Sequence, residues 1–208
     1  MRKRGLRVLC GLLAALFAVS LVGCAPEKGN EIGHPVYDDA LLTDSVRVAS
    51  YEGLVIPLEE GESKSEAVWR VILAGTEVLS YPDEAVSYYA EQSRETYRYY
   101  AEKNNWSYED TLARLGTSEE AILADAREMV KGDLTYRYIV KEANISLSEE
   151  EVARLFDRYA EKFSEDYGKE IDDVKESMSD LIRESMLYDK TMEYLILRNT
   201  FVAAESET

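Results

Sequence analysis

Two groups of side chains in this 208-residue chain have the type and placement to do chemistry. The first is a single thiol. Cys24 follows Leu21-Val22-Gly23, behind the basic residues Arg2, Lys3, Arg4 and Arg7 and an uncharged run from Val8 to Val22. A positive start followed by a short apolar stretch is the layout of a secretory signal, and a transmembrane helix needs ~20 apolar residues. The second group is tyrosine, fifteen in all. Around these two the usual catalytic constellations are missing. His34 is the only histidine and stands beside Pro35 in a polar stretch, so no Ser-His-Asp or Cys-His pair can form. No glycine-rich phosphate loop, Cys/His cluster or calcium-loop spacing is written in the sequence. Acidic runs such as Glu149-Glu150-Glu151 and Asp172-Asp173 fall in first turns of predicted helices, where carboxylates favour the positive end of the dipole. No enzyme activity, metal or cofactor is expected.

Leu21-Val22-Gly23-Cys24 resembles the lipobox of bacterial lipoproteins. The resemblance implies a diacylglycerol on the Cys24 thiol, cleavage just before that residue, and residence on the extracytoplasmic face of a bacterial cell membrane. Cys10 would leave with the signal, so no internal disulfide is expected in the mature chain. Loss of residues 1–23 removes four basic residues and no acidic ones. What remains has 20 basic against 41 acidic side chains, a net charge of −21. Such a chain is repelled by nucleic acid and gains nothing electrostatically from an anionic lipid surface. Its contact with the membrane is expected through the lipid alone.

The elements that would position the tyrosines follow from punctuation and period. Residues 24–45, rich in Pro, Gly and polar residues, read as a flexible tether. Residues 46–80 read as an extended segment and short linker, with Val46, Val48 and Leu54-Val55-Ile56 β-branched or apolar, and with a helical turn or two at Ala67–Leu73. Everything from residue 81 to 203 reads as helix, and residues 204–208 as an acidic tail. Pro82 starts a long helix that Asn104-Asn105 ends; Ser107 and Gly116 bound a short one. Thr117-Ser-Glu-Glu120 and Ser148-Glu-Glu-Glu151 are capping-box patterns. The first opens a helix with Ile122, Ala126, Met129, Tyr136, Val140 and Ala143 at three/four spacing. The second opens one with Val152, Leu155, Phe156, Tyr159 and Phe163 on a stripe. After Gly168 a last helix carries Val174, Met178, Leu181, Ser185, Tyr188, Met192 and Leu195, a coiled-coil-like seam that either packs internally or pairs two copies into a homodimer.

The long helix holds Tyr88, Tyr89, Tyr97, Tyr99 and Tyr100. At ~100° per residue from Ala85, Tyr88 and Tyr99 fall near 300–320°, Tyr89 and Tyr100 near 40–60°, and Tyr97 near 120°. Glu91, Arg94, Glu95, Arg98 and Glu102 occupy the arc of roughly 180–280°. The aromatic arc is about half the circumference, whereas docking on one neighbour takes ~100°. Either the helix is sandwiched and these tyrosines are core, or part of the arc stays open to apolar ligands, a use that suits tyrosine's large and wettable ring.

Tyr51-Glu-Gly-Leu-Val-Ile-Pro57, Tyr81-Pro82-Asp-Glu-Ala-Val86, Trp106-Ser-Tyr-Glu-Asp-Thr-Leu112, Ser118-Glu-Glu-Ala-Ile122 and Ile145-Ser-Leu-Ser-Glu-Glu-Glu-Val152 follow one another in an order that resembles trigger factor and trigger-factor-like lipoproteins over roughly residues 46–202. The resemblance implies a mainly α, multi-helix domain of the trigger factor C-terminal or SurA-like chaperone type, with a short extended N-terminal segment. It also implies a role in shielding unfolded or newly secreted polypeptides; the aromatic residues Tyr88, Tyr89, Tyr97, Tyr99, Tyr100 and Trp106 are then the candidate client-binding residues. Trigger factor carries a prolyl isomerase domain between the extended segment and the long helix, but here about two dozen residues separate Pro57 from Pro82. The scaffold is therefore expected without isomerase activity. The rival reading is a membrane-tethered helical adaptor that docks one folded partner.

Overall fold

The computed structural model describes residues 35–204; the signal segment, Cys24, His34 and residues 205–208 lie outside the described residues. Eight helices and four short strands occur among them. In chain order they are α1 (Asp39–Ser45), β1 (Val46–Val48), β2 (Val55–Leu58), α2 (Lys64–Ala74), β3 (Thr76–Val78), α3 (Asp83–Asn104), α4 (Tyr108–Leu115), α5 (Glu119–Glu142), α6 (Glu149–Tyr167), α7 (Ile171–Ser177), α8 (Ser179–Arg198) and β4 (Thr200–Ala203). The protein is mainly α. It divides into two units, residues 35–49 with 76–138 and residues 50–75 with 139–204, the last boundary falling inside α5.

Local chemistry sets most helix ends. Ser63 and Ser148 each accept from the backbone N–H three residues on, while Glu66 and Glu151 bond back to the cap backbone. Each box satisfies two of the N–H groups that a helix start leaves without partners. Ser107 caps α4, and Asn105, Gly116 and Gly168 end α3, α4 and α6 in the left-handed region, at φ of 52°, 70° and 61°. At α5 the cap is Ser118, whose Oγ accepts from Ala121 N at 3.2 Å, one residue later than the Thr117 pattern predicts.

In the unit of residues 35–49 and 76–138, β1 and β3 pair antiparallel, Val46 opposite Val78. Two apolar clusters form its core. One gathers Leu42, Val46, Ala85, Val130 and Leu134; the other gathers Ala90, Leu112, Ile122 and Ala126. Leu42 corrects the tether expected over 24–45, because residues 39–45 are a helix capped by Asp38 whose Leu42 is buried. Polar flanks hid it: one apolar anchor on a two-turn helix gives too weak a period to read.

In the unit of residues 50–75 and 139–204, the core runs through Val152, Ala160 and Phe163 of α6, Val174 of α7, and Ile182 and Met186 of α8. The last helix is not continuous. Met178, at φ −124° and ψ 17°, separates α7 from α8. Next to that break Ile182 and Met186 are buried in place of the seam's Leu181 and Ser185, whereas its Met192 and Leu195 are buried as spaced. The chain also does not stay helical to residue 203, since Thr200–Ala203 form β4 in parallel with β2, with Ile56 opposite Phe201. Asn199 fastens this junction. Its Oδ1 accepts from Leu54 N at 2.8 Å, and its Nδ2 donates to Tyr51 O at 2.9 Å and Leu195 O at 2.7 Å.

Glu151 carries both a cap and a cross-link, for its carboxylate also accepts from Lys190 Nζ at 2.6 and 2.8 Å. These bonds, Lys190's first and Ser148's after it, lower its pKa from 4.5 to about 2. A depressed carboxylate adds stability that is complete above its unfolded pKa and is lost as pH falls through the folded one. The melting temperature should therefore fall between pH 4.5 and 2 more steeply in wild type than in Glu151→Gln, with the two converging at the acid end. Parallel melting curves across that range would show that Glu151 makes no net contribution.

Candidate functional site

The tyrosine-bearing α3 buries a face of small residues. Ala85, Ala90 and Ala101 are its buried side chains. With Val86 they span the arc of roughly 0–160°, so the helix backbone can approach its neighbours closely while larger rings fill the flanks. Tyr89 and Tyr97 fall inside that arc. Tyr89 packs against both apolar clusters of its unit, and Tyr97 against the Leu112–Ile122 cluster. The Tyr89 hydroxyl donates to Asp133 Oδ2 at 3.1 Å. Asp133 is itself nearly buried and stands 3.5 Å from Arg137 Nε. Burial first, then the Asp133 carboxylate, pushes the Tyr89 and Tyr37 hydroxyls far above the ordinary tyrosine range, so both stay neutral.

Tyr88 and Tyr99 lie outside the packed arc, and Tyr100 escapes it by its height on the helix. Tyr88 is half-buried, its ring edge-on to Tyr89 at 5.1 Å. Tyr99 is half-buried and meets Tyr100 edge-on at 5.8 Å. Tyr100 is 46% exposed, although it shares Tyr89's side of the projection, because it lies near the helix's end. Trp106, just past that end, is half-buried. The structure therefore separates the six candidates: Tyr89 and Tyr97 join the core clusters, Tyr88 borders them, and Tyr99, Tyr100 and Trp106 gather around the turn between α3 and α4.

Cations of the same unit cover several of these rings. Lys103 Nζ lies 5.4 Å from the Tyr99 centroid, the Arg114 guanidinium 4.7 Å from Trp106, and that of Arg98 5.9 Å from Tyr108. At exposed sites each such contact is worth about 0.5–1 kcal/mol, small enough to exchange. Beside them an ionic lattice ties α3 to the start of α5. Arg94 donates to Glu119 Oε2 at 2.9 and 3.0 Å, and Tyr108 donates to Glu119 Oε1 at 2.6 Å. Glu91 accepts from both Arg94 and Arg98. Arg94 and Tyr108 hold the Glu119 carboxyl below its usual range, while burial and Glu119 raise Tyr108 to about 12.

Sequence reasoning did not find Tyr37, Asp133 or Tyr108 as partners of the tyrosine helix, nor Leu79 and Leu115, which are 44% and 51% exposed in this unit. Asp133 had a signal: an acidic residue between Val130 and Leu134 on a helix's apolar side needs a buried donor.

What this unit presents is a helical scaffold with an aromatic, partly open surface and an acidic surround, the arrangement of a chaperone-type binding domain. The family described as bacterial trigger factor protein (TF) C-terminus matches residues 59–197, two thirds of the chain, and the chain belongs to that family. Comparison with curated proteins and with solved structures found no match.

Tyr89→Phe should cost about 1 kcal/mol by deleting the bond to Asp133, and Tyr89→Ala about 3–5 kcal/mol by adding a cavity. Denaturant unfolding measures both. In an alkaline absorbance titration, Tyr37 and Tyr89 should ionise only as the protein unfolds. A Tyr89→Ala variant as stable as wild type would place this ring outside the core.

Proposed function

We propose that this protein is a lipid-anchored, extracytoplasmic chaperone-like protein that binds unfolded or newly secreted polypeptides and has no isomerase activity. Membership of the trigger factor C-terminal family is the observation that carries the chaperone part of this reading, since it favours polypeptide as the ligand class. The turn between α3 and α4 supplies a surface suited to it. Tyr99, Tyr100 and Trp106 offer ring area, with Leu115 exposed on α4. A client side chain that reaches Tyr99 or Trp106 displaces Lys103 or Arg114, so each contact is weak. Affinity then comes from several at once and is lost when folding withdraws the client's apolar groups. The excess of 41 acidic over 24 basic residues favours clients of basic character and keeps copies of this chain apart.

The combined replacement of Tyr99, Tyr100 and Trp106 by alanine should melt near the wild-type temperature, yet lose the ability to suppress aggregation of a denatured, basic test protein. Unchanged suppression would move client binding elsewhere. A wild type that suppresses nothing, but binds one folded protein stoichiometrically, would make the adaptor the better reading.

The anchor is tested separately. Cys24→Ser removes the thiol, so metabolic labelling with a fatty acid should disappear and uncleaved precursor should accumulate. Labelling of the variant equal to wild type would refute lipid attachment at this residue.

A further inference from the structure

The sheet of β2 and β4 has two outer edges, and they differ in chemistry. In a parallel pair alternate residues turn their backbone groups toward the partner and away from it. Thr200 N donates to Leu54 O at 2.9 Å and Ala204 N to Leu58 O at 3.0 Å, which fixes that alternation. On β2, Val55 and Pro57 turn outward. Pro57 has no N–H to offer, and its carbonyl accepts from Arg70 Nη2 at 2.9 Å. This edge is largely closed, in the way proteins blunt exposed strands.

On β4, Phe201 and Ala203 turn their N–H and C=O groups outward. Neither residue's outward groups meet a protein partner among the described residues, and β4 has neither proline nor charge. The side chains also sort by face. Ile56 is fully buried, and Phe201 beside it lies under Lys64 Nζ at 5.3 Å. The opposite face exposes Val55 at 66% and Val202 at 42%, with Pro57 and Thr200 between them. Leu197, just before the strand, is 76% exposed.

We propose that the outer edge of β4 is a second docking site, which takes an extended segment of polypeptide as a third strand beside Phe201 and Ala203. Alternate apolar side chains of that segment lie next to Val202 and continue the Val55 face, and basic residues flank them. Backbone donors and acceptors at strand spacing recognise an extended main chain whatever its sequence, and the apolar face selects the alternating pattern. Charge chooses the occupant. Residues 50–75 and 139–204 carry 21 acidic against 11 basic side chains, so a second copy of this chain meets repulsion where a cationic segment meets attraction. The occupant's identity as a client rests on the function proposed above. The edge belongs to the other unit from the tyrosine surface and is open to separate test.

The probe is a fluorescein-labelled nonapeptide of alternating valine and lysine, titrated against the full chain by anisotropy, with a proline-interrupted isomer and a valine–glutamate peptide as controls. Ala203→Pro removes an outward N–H while leaving the β2–β4 ladder intact, and Val202→Lys places a charge on the exposed face. Each should weaken the valine–lysine peptide at least tenfold without moving the melting temperature, and neither control should bind. Bound peptide should also slow amide exchange at Phe201 and Ala203. If Ala203→Pro misfolds, Val202→Lys and the exchange measurement still decide. Wild-type affinity in folded variants, or unchanged exchange at β4, would overturn the proposal. So would a wild type that ignores the peptide yet suppresses aggregation, an outcome that leaves the client-binding function standing. A concentration-dependent dimer abolished by Ala203→Pro would give the edge to a second copy and likewise refute the assignment.

Discussion

The pairing of β2 with β4 is the constraint on which the unit of residues 50–75 and 139–204 depends. Leu54 and Asn199 are bonded across 145 positions of sequence. Closing a loop of that length costs about 4 kcal/mol in chain entropy beyond its fixed part. The contacts at the junction are of the size needed to offset it. Ile56 is buried completely, which is worth ~2–3 kcal/mol, and the three Asn199 bonds add ~1 kcal/mol each. Asn199 fits because one amide supplies an acceptor and two donors in a fixed fork. It therefore answers the Leu54 N–H and the Tyr51 and Leu195 carbonyls together. A carboxylate there would face two carbonyls, and an alanine would leave three polar groups unanswered.

A second economy is visible in the tyrosine helix. Its interior side is alanine, so close backbone approach comes from small residues while tyrosines fill the flanks. Where those rings are drawn inward their hydroxyls need acceptors, and Asp133 provides one for Tyr89. Where they are left at the rim, lysine and arginine stems cover them. The aromatic arc thus divides by residue: Tyr89 and Tyr97 pack in the core clusters, while Tyr99 and Tyr100 meet each other near the helix end. One projection onto a circle could not separate them, because it ignores height. Tyr89 and Tyr100 share an azimuth, but only Tyr89 has neighbours from α5 beside it.

The same distinction between local and distant causes decides what the sequence revealed. The Ser148–Glu151 box, the Ser107 cap and the Gly116 and Gly168 stops were legible because each is settled within four or five residues. The strand at Thr200–Ala203 was not, since its partner lies some 145 residues earlier. Nor was the interruption at Met178, which follows a serine and precedes another with no proline or glycine to announce it. With that break missed, Leu181 and Ser185 are chosen where Ile182 and Met186 are buried, while Met192 and Leu195 farther along are buried as the seam predicts. The buried pairing of Tyr89 with Asp133 was invisible for a related reason: their 44-residue separation leaves no mark in either segment alone.

Charge and ring contacts combine into one picture of the surface. Cations are scarce in this chain, yet Lys64, Arg98, Lys103, Arg114, Arg137, Arg158 and Arg198 all sit over aromatic rings. Arg98 and Arg137 also pair with Glu91 and Asp133, but the carboxylates far outnumber the cations, so the acidic field remains. Within about 8 Å at physiological salt that field still acts. An arriving basic residue is drawn to the carboxylates, and an arriving aromatic or aliphatic one competes with a lysine or arginine that is held by a kilocalorie or less. Rings covered in this way keep their apolar area from water, and uncovering one costs about a kilocalorie per contact.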